Sequence, residues 1–487
     1  MPQEHFDRLT AIDASFLAQE GPVSHMHIGA MTIFEGPAPS LDVFLDTIRE
    51  RLHLVPRYRQ KLSFPPAESG RPVWVDDPGF NLDYHIRQTA LPRPGSQEQL
   101  LRLVSRIFSQ QLDRSKPLWE MWLIEGVSEG RWALISKTHH AMIDGISGVD
   151  LATVLFDLAP DGREIEHPDE AWLPEPEPTS AELVASGALG AAKTAIHGVR
   201  RAADVVLRPQ NALHEAREAV EGVGEIVWAG FNPAPPTPLN VEIGPHRRFR
   251  VVRTPLADFR MIKTQLGGTV NDVVLTVVSG ALREWLRSRG IRTEGLELRA
   301  LVPVSVRADG EHQDLGNRIV AMRGPLPVYV EDPVARLRVV RQAMDGLKES
   351  KQAVGASLLA GAQGFAPPTV LAQASRLNFS TRLFNLIVTN IPGPQFPLYI
   401  AGKRLLELYP VAFLPRNHAL AIGIMSYDGE LSFGLLGDYD ALPDIDTIAD
   451  GLRSSIAELT AIAAAQAPAG GPNGSGSGRT LAGARKA

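Results

Sequence analysis

Apolar and polar positions follow two kinds of period along this chain, and the places where one gives way to the other divide it. In the first third, short apolar runs alternate with stretches of helical period. Residues 27–34 (HIGAMTIF) read as a strand, the segment from Ser40 to about Leu54 as a helix, and 133–138 as a buried strand. A second α/β pattern runs from about Arg247 to Ala465, with strands expected over 298–306, 386–389, 419–426 and 430–436. Between 160 and 245 the texture changes. PEPEPT is an acidic, proline-rich loop, an alanine-rich helical stretch follows, and FNPAPPTPLN closes the segment with four prolines. The pattern predicts an α/β domain over 1–161, an inter-domain linker over 162–245, a second α/β domain over 246–466, and a Gly/Ser-rich tail over 467–487 too polar to order itself.

Within the linker, Leu189, Ala192, Ile196, Val199, Ala203 and Val206 recur at intervals of 3, 4, 3, 4 and 3, one face of a helix. Lys193, Arg200, Arg201 and Arg208 are interspersed. Such a face either packs on its own protein with the basic residues solvated, or lies apolar side down on an anionic lipid surface.

Composition removes whole classes of chemistry. The 487 residues contain no cysteine, so disulfides, thiolate metal sites and a cysteine nucleophile are excluded together. With 49 basic and 55 acidic side chains the formal charge is -6, which gives no reason to expect nucleic acid. The longest apolar runs, such as 273–278, fall far short of the ~18 residues of a membrane span. The amino terminus does not read as a secretory signal. A cytoplasmic protein is expected, peripheral if it meets a membrane or lipid inclusion.

The stretch ALISKTHHAMIDGISGVD at 133–150 carries the chemistry. A strand leads into His139 and His140, and Ser147 with Asp150 three residues on is a capping signature for a new helix. The histidines therefore sit on a turn, which holds side chains in place while leaving them open to substrate. Histidine is the side chain best suited to take a proton from an alcohol near neutral pH, and His140 is the candidate general base. Asp144 would fix the loop, and Gly145 allows a backbone angle that other residues resist. No further His, Asp or Glu is spaced to complete a metal shell, so no metal is expected. Thr269 with Asp272 is a capping box, which gives Asn271-Asp272 a purely structural reading. Trp119 reads as core, and Pro392-Gly393-Pro394 as a rigid turn.

HHAMIDG resembles the HHxxxDG signature of the bacterial wax ester synthase/acyl-CoA:diacylglycerol acyltransferase family, within the HxxxD superfamily of CoA-dependent acyltransferases and condensation domains. The likeness continues in order along the chain. LTAIDASFLAQEGPVSHMHIGAMTIFEG at 9–36 is similar to the family's amino-terminal strand region, and Pro117-Leu118-Trp119 to its PLW element. TPLNVEIGPHRRF at 237–249 is similar to its domain junction, Asn271-Asp272 to its ND element, and Thr389-Asn390-Ile-Pro392-Gly393-Pro394 to its late turn. The resemblance implies a two-domain α/β fold like that of chloramphenicol acetyltransferase, with the active site in a channel between the domains to which Pro117, Leu118, Trp119, Thr389, Asn390, Pro392 and Gly393 would contribute. It implies acyl-CoA as co-substrate, no cofactor, and diacylglycerol or a long-chain fatty alcohol as acceptor. His140 would be the base and His139 its neighbour. Arg307, ahead of Gly316-Asn317, would pair with Asp144. Asn271 or, more weakly, Thr389 would donate to the oxyanion. A carrier-protein donor with a small acceptor, or a non-catalytic lipid-surface protein of the same fold, are the competing readings.

Overall fold

The computed structural model describes residues 6–66, 70–142, 155–166, 172–187, 233–305, 319–349 and 379–466. Asp144, Gly145, Arg307, Asn317, the proposed linker helix at 189–206 and the tail at 467–487 lie outside these residues. The first half runs β1 (Asp7–Arg8), α1 (Ala11–Gln19), β2 (His27–Phe34), α2 (Leu41–Arg49), β3 (Gln60–Ser63), β4 (Val73–Asp76), α3 (Leu82–His85), β5 (Ile86–Ala90), α4 (Gln97–Phe108), β6 (Trp119–Val127) and β7 (Arg131–His139). The second runs β8 (Arg247–Pro255), α5 (Leu256–Leu266), α6 (Val270–Ser288), β9 (Leu298–Ser305), β10 (Ile319–Leu326) and α7 (Pro333–Glu349). It ends with β11 (Leu386–Ile391), β12 (Tyr399–Ile400), β13 (Lys403–Val411), β14 (Leu420–Tyr427), β15 (Glu430–Asp438) and α8 (Ile445–Gln466).

The strand expected over 27–34 is β2 without change, and the other expected strands each lie within or overlap an observed one. The helix expected to reach residue 54 stops at Arg49. Ser40 caps its start, but Pro56 has no N–H to offer a helix and holds Val55 out of helical conformation (φ -131°, ψ 69°), so the chain continues as short 3-10 turns instead.

Among the described residues the strands form two six-stranded sheets, ordered β12-β13-β2-β7-β6-β5 and β10-β9-β11-β14-β15-β8, and a small sheet β1-β4-β3. The halves exchange elements. β13, from late in the chain, lies beside β2 with Leu408 opposite Thr32 and Pro410 opposite Ala30. In return α4 covers the edge of the second sheet: the N–H groups of Arg247 and Phe249 on β8 donate to the hydroxyls of Ser109 and Ser105, both at 2.9 Å. An edge strand otherwise leaves such groups open to another chain.

Where the sheets meet, side chains are absent because there is no room for them. Gly423 and Gly434 face each other across β14 and β15. A Cβ on Gly434 would stand 1.9 Å from the carbonyl oxygen of Pro410, and one on Gly423 would stand 3.3 Å from its ring. The junction motif is locked nearby by amides. Asn385, fully buried, donates to Pro235 O (2.8 Å) and to Asn240 Oδ1 (2.6 Å) and accepts from the N–H of Arg299 (2.8 Å).

Gly434→Ala is expected to cost at least the ~1–3 kcal/mol typical of overpacking, because the obstacle is backbone rather than a movable side chain. Gly346→Ala, exposed on α7 with nothing within 4 Å of the new Cβ, should be neutral or stabilising by up to ~1 kcal/mol. Thermal melts of the two variants against the parent check both.

Candidate active site

β7 delivers the two histidines, and the backbone turns between them. His139 is the last residue of the strand, paired with His27 on β2, and His140 opens a short 3-10 turn with Ala141 and Met142. This turn releases the second ring from the alternation of the strand, so the neighbours face different surroundings. His139 is fully buried, while His140 is half-buried. Their backbones are held from two sides: the N–H of His139 donates to Leu118 O and that of His140 to Met26 O, each at 2.9 Å.

The first of these bonds explains the PLW element. Pro117, Leu118 and Trp119 are buried at the start of β6, where Trp119 lies opposite Thr138. Trp119 is core, as expected. Its ring stacks between Tyr58 (4.4 Å) and His85 (4.5 Å), and its indole N–H donates to Tyr58 O at 2.8 Å. Pro117 and Trp119 also border a cavity of about 170 Å³ with Tyr84, Arg87, Asp113 and Glu120, which neither histidine lines.

His139 has a determined tautomer. Its Nδ1 accepts the N–H of Ala141 at 3.1 Å, which leaves the proton on Nε2. That nitrogen faces Glu20 Oε2 at 3.8 Å, and the other oxygen of Glu20 lies 3.7 Å from His27 Nε2. Arg114 approaches the same carboxylate at 2.8 Å. Burial, with the neighbouring His140 and Arg114, pushes the His139 imidazole down to about 3, so it is neutral near pH 7. Burial raises Glu20 above the usual carboxylate range, against the pull of Arg114 and Lys137. Below this group Lys137, fully buried, spends its three protons on Ile107 O, Gln110 O and Glu120 Oε1 (2.9, 2.7 and 2.9 Å). An ammonium there also complements the carboxyl end of α4.

His140 stands among aromatic rings: Phe16 of α1 is stacked on it at 4.0 Å and Phe413, just past β13, meets it edge-on at 5.4 Å. Residues from both halves of the chain therefore touch the candidate base. Glu20, Arg114, Phe16 and Phe413 were missed in the sequence. Glu20 ends α1 as an ordinary polar cap and nothing in its spacing ties it to residue 139; the alternation of His25 and His27 was the one local hint.

The remaining candidates have structural roles that are visible. Thr269 and Asp272 form the expected capping box of α6: the Asp272 carboxylate accepts the Thr269 N–H at 2.7 Å, and the Asp272 N–H donates to Thr269 Oγ1 at 3.2 Å. Asn271 is half-buried beside them. Thr389 and Asn390 lie on β11, parallel to Gly423 and Ile424 of β14. Pro392 is exposed in the turn that follows. Gly393 is required there, since a Cβ would meet Ser426 O at 2.2 Å. A buried ion pair joins Arg51 to Asp157 (2.7 Å), and Asp157 exchanges backbone hydrogen bonds with Tyr399 of β12 (2.8 and 2.9 Å). Among the described residues no group of three or more His, Asp or Glu is placed to hold a metal ion.

Comparison with known proteins identifies the family and the fold. The model of the wax ester synthase/diacylglycerol acyltransferase catalytic domain matches residues 9–274, and that of the WS/DGAT C-terminal domain matches 315–460. The chain belongs to the wax ester synthase/diacylglycerol acyltransferase family. It is 35% identical over 463 residues to a putative diacylglycerol O-acyltransferase of Mycobacterium bovis and to a probable one of Mycobacterium tuberculosis, covering 94% of this chain and 96% of each relative. The wax ester synthase/diacylglycerol acyltransferase from Marinobacter aquaeolei VT8 superposes with a TM-score of 0.64 at 29% identity, over 94% of this chain and 100% of that one. The first condensation domain of the calcium-dependent antibiotic synthetase shares the fold, with a TM-score of 0.57 at 17% identity over 95% and 97% of the two chains. The expected two-domain α/β acyltransferase fold is the observed one.

The buried imidazole sets a pH dependence of stability. Above pH about 6.5, His139 is neutral folded and unfolded. Below that the unfolded chain takes up a proton that the folded chain refuses until about pH 3, so stability falls as pH drops through the window. His418, pushed down to about 4 by burial, acts in the same sense; the raised Glu20 opposes it just above pH 4.5. His139→Gln should lose less stability between pH 7 and pH 5 than the parent, read as the shift of the urea midpoint at each pH.

Proposed function

We propose that this chain transfers a long fatty acyl group from acyl-CoA to diacylglycerol, giving triacylglycerol, with His140 as general base. His140 takes the proton of the acceptor hydroxyl as its oxygen attacks the thioester carbonyl. Collapse of the tetrahedral intermediate releases CoA thiolate, which recovers the proton from the imidazolium. No acyl-enzyme forms. The single observation that carries the assignment is the contrast between the rings: His139 is buried, neutral and committed through Nδ1 to Ala141, whereas His140 has turned out of the strand at the meeting of the two halves. The acceptor is carried over from the mycobacterial relatives, whose names specify diacylglycerol. The name of the Marinobacter protein gives wax ester synthase beside diacylglycerol acyltransferase, and wax ester formation from a fatty alcohol is the second reading.

The rest of the proposal follows the family pattern. Two acyltransferase domains, 1–161 and 246–466, flank the linker at 162–245 and the site lies in a channel between them. Asp144 pairs with Arg307 near Asn317, Gly145 shapes the loop, and Asn271 is the first choice of oxyanion donor. No helix among the described residues is long and apolar enough to cross a membrane. Contact with membrane or stored lipid is proposed to be peripheral, through the face at 189–206.

His140→Ala should lower turnover by roughly 10²–10⁴-fold, the usual weight of a general base, while His139→Gln keeps part of the activity. Near-parental turnover by His140→Ala, or a larger loss in His139→Gln, would falsify the assignment. One long acyl-CoA offered diacylglycerol and a long primary alcohol together should yield mainly triacylglycerol; mainly wax ester selects the second reading. For the loop, a double-mutant cycle between Asp144→Ala and Arg307→Ala should show strong coupling, because removing either member of a buried pair strands the other, at ~3–5 kcal/mol. Additive losses would refute the pairing.

A further inference from the structure

Phe16 and Glu20 lie four residues apart, at the last turn of α1 and its cap, so the helix turns both toward β7. The two histidines receive different chemistry from that face. His139 faces the Glu20 carboxylate, and His140 lies on the Phe16 ring with an interplanar angle of 28°. Phe413 meets His140 beside that stack at 83°, and its ring lies 6.0 Å from that of Phe16. Phe379 stands behind both, 6.1 Å from Phe16 and 5.8 Å from Phe413. Phe16 and Phe413 are 9% and 8% exposed, so the contact is made away from bulk water.

We infer that Phe16 is a positioning residue for the reaction: its face, with the ring of Phe413 beside it, holds the His140 imidazole in one orientation through both of its protonation states. The inference rests on the reading of His140 as the base. A base must stay aimed at the acceptor oxygen while its ring gains and loses a proton. A hydrogen-bonding partner on the ring favours one protonation state over the other. A π face tolerates both, stacking on the neutral imidazole and attracting the imidazolium through its quadrupole. The aromatic face supplies orientation without competing for the proton, and orientation of a reacting group is worth rate rather than binding.

A double-mutant cycle tests this on the full-length protein, with acyl-CoA and diacylglycerol as substrates and a thermal melt to confirm folding. In the parent background Phe16→Leu, which keeps an apolar side chain and removes the ring, should lower kcat by about 3–10-fold with KM for acyl-CoA changed less than about twofold. Phe16→Tyr, which restores a ring, should recover most of that loss. In the His140→Ala background Phe16→Leu should cause no further loss of the residual rate. Equal losses in both backgrounds would mean that Phe16 only supports the fold, and a raised KM with unchanged kcat would make it a wall of the substrate channel; either overturns the inference. If Phe16→Leu does not fold, the same cycle with Phe413→Leu decides, coupling supporting the aromatic positioning of His140 and additivity refuting it. Near-parental turnover by His140→Ala alone is a separate outcome, which removes the base assignment itself.

Discussion

Backbone meets backbone where Pro410 crosses the Gly423–Gly434 pair, and most of the molecule is arranged around that contact. Two sheets packed through ordinary side chains stand about 10 Å apart. Here the carbonyl of one strand reaches the Cα positions of two others, so β13 can serve the first sheet while touching the second. That closeness lets β13 hand the chain directly to Phe413, whose ring closes on His140. A larger residue at either glycine would separate the sheets and with them the two sides of the site.

The electrostatics near His140 follow from the same compactness. A cluster of groups able to carry charge, Glu20, His27, Lys137 and His139, is packed where water has little access, with the exposed Arg114 at its edge. Burial pushes both histidines toward neutrality, so their rings resist taking up a proton around neutral pH, and it raises Glu20, which takes one up more readily than an exposed carboxylate would. Lys137 keeps a charge compatible with burial because its three donors each have an oxygen within hydrogen-bonding distance. The PLW element belongs to this support: its contribution is a peptide carbonyl under His139 and an aromatic stack beneath the strand, and neither requires it to touch substrate.

Local signals were legible in the sequence, and long-range ones were not. β2 could be read to the residue because its apolar pattern is bounded by polar turns, and the capping box at Thr269 announced α6 by chemistry confined to four residues. The overrun of the helix at 40–54 has the same origin: the periodicity continues past Arg49, whereas the restriction that Pro56 places on Val55 ends the helix before it. The histidine pair was recognisable only as part of an ordered set of family-like motifs. What surrounds it was not, because Glu20 and His139 are more than a hundred positions apart in the chain, and Phe413 is farther still. No spacing rule reaches across such distances. The exchange of β13 between halves was hidden for the same reason, since a strand carries no local mark of the sheet it will join.

The reciprocal exchange between the halves has a consequence for biosynthesis. Ser105 and Ser109 close the open edge of β8, and β13 occupies the flank of β2, so each half holds a piece that the other lacks. During translation the histidine-bearing sheet must wait for residues 399–411 to leave the ribosome before β2 gains its second neighbour. Until then the flank of β2 is an unpaired strand edge, the kind of surface through which incomplete chains associate.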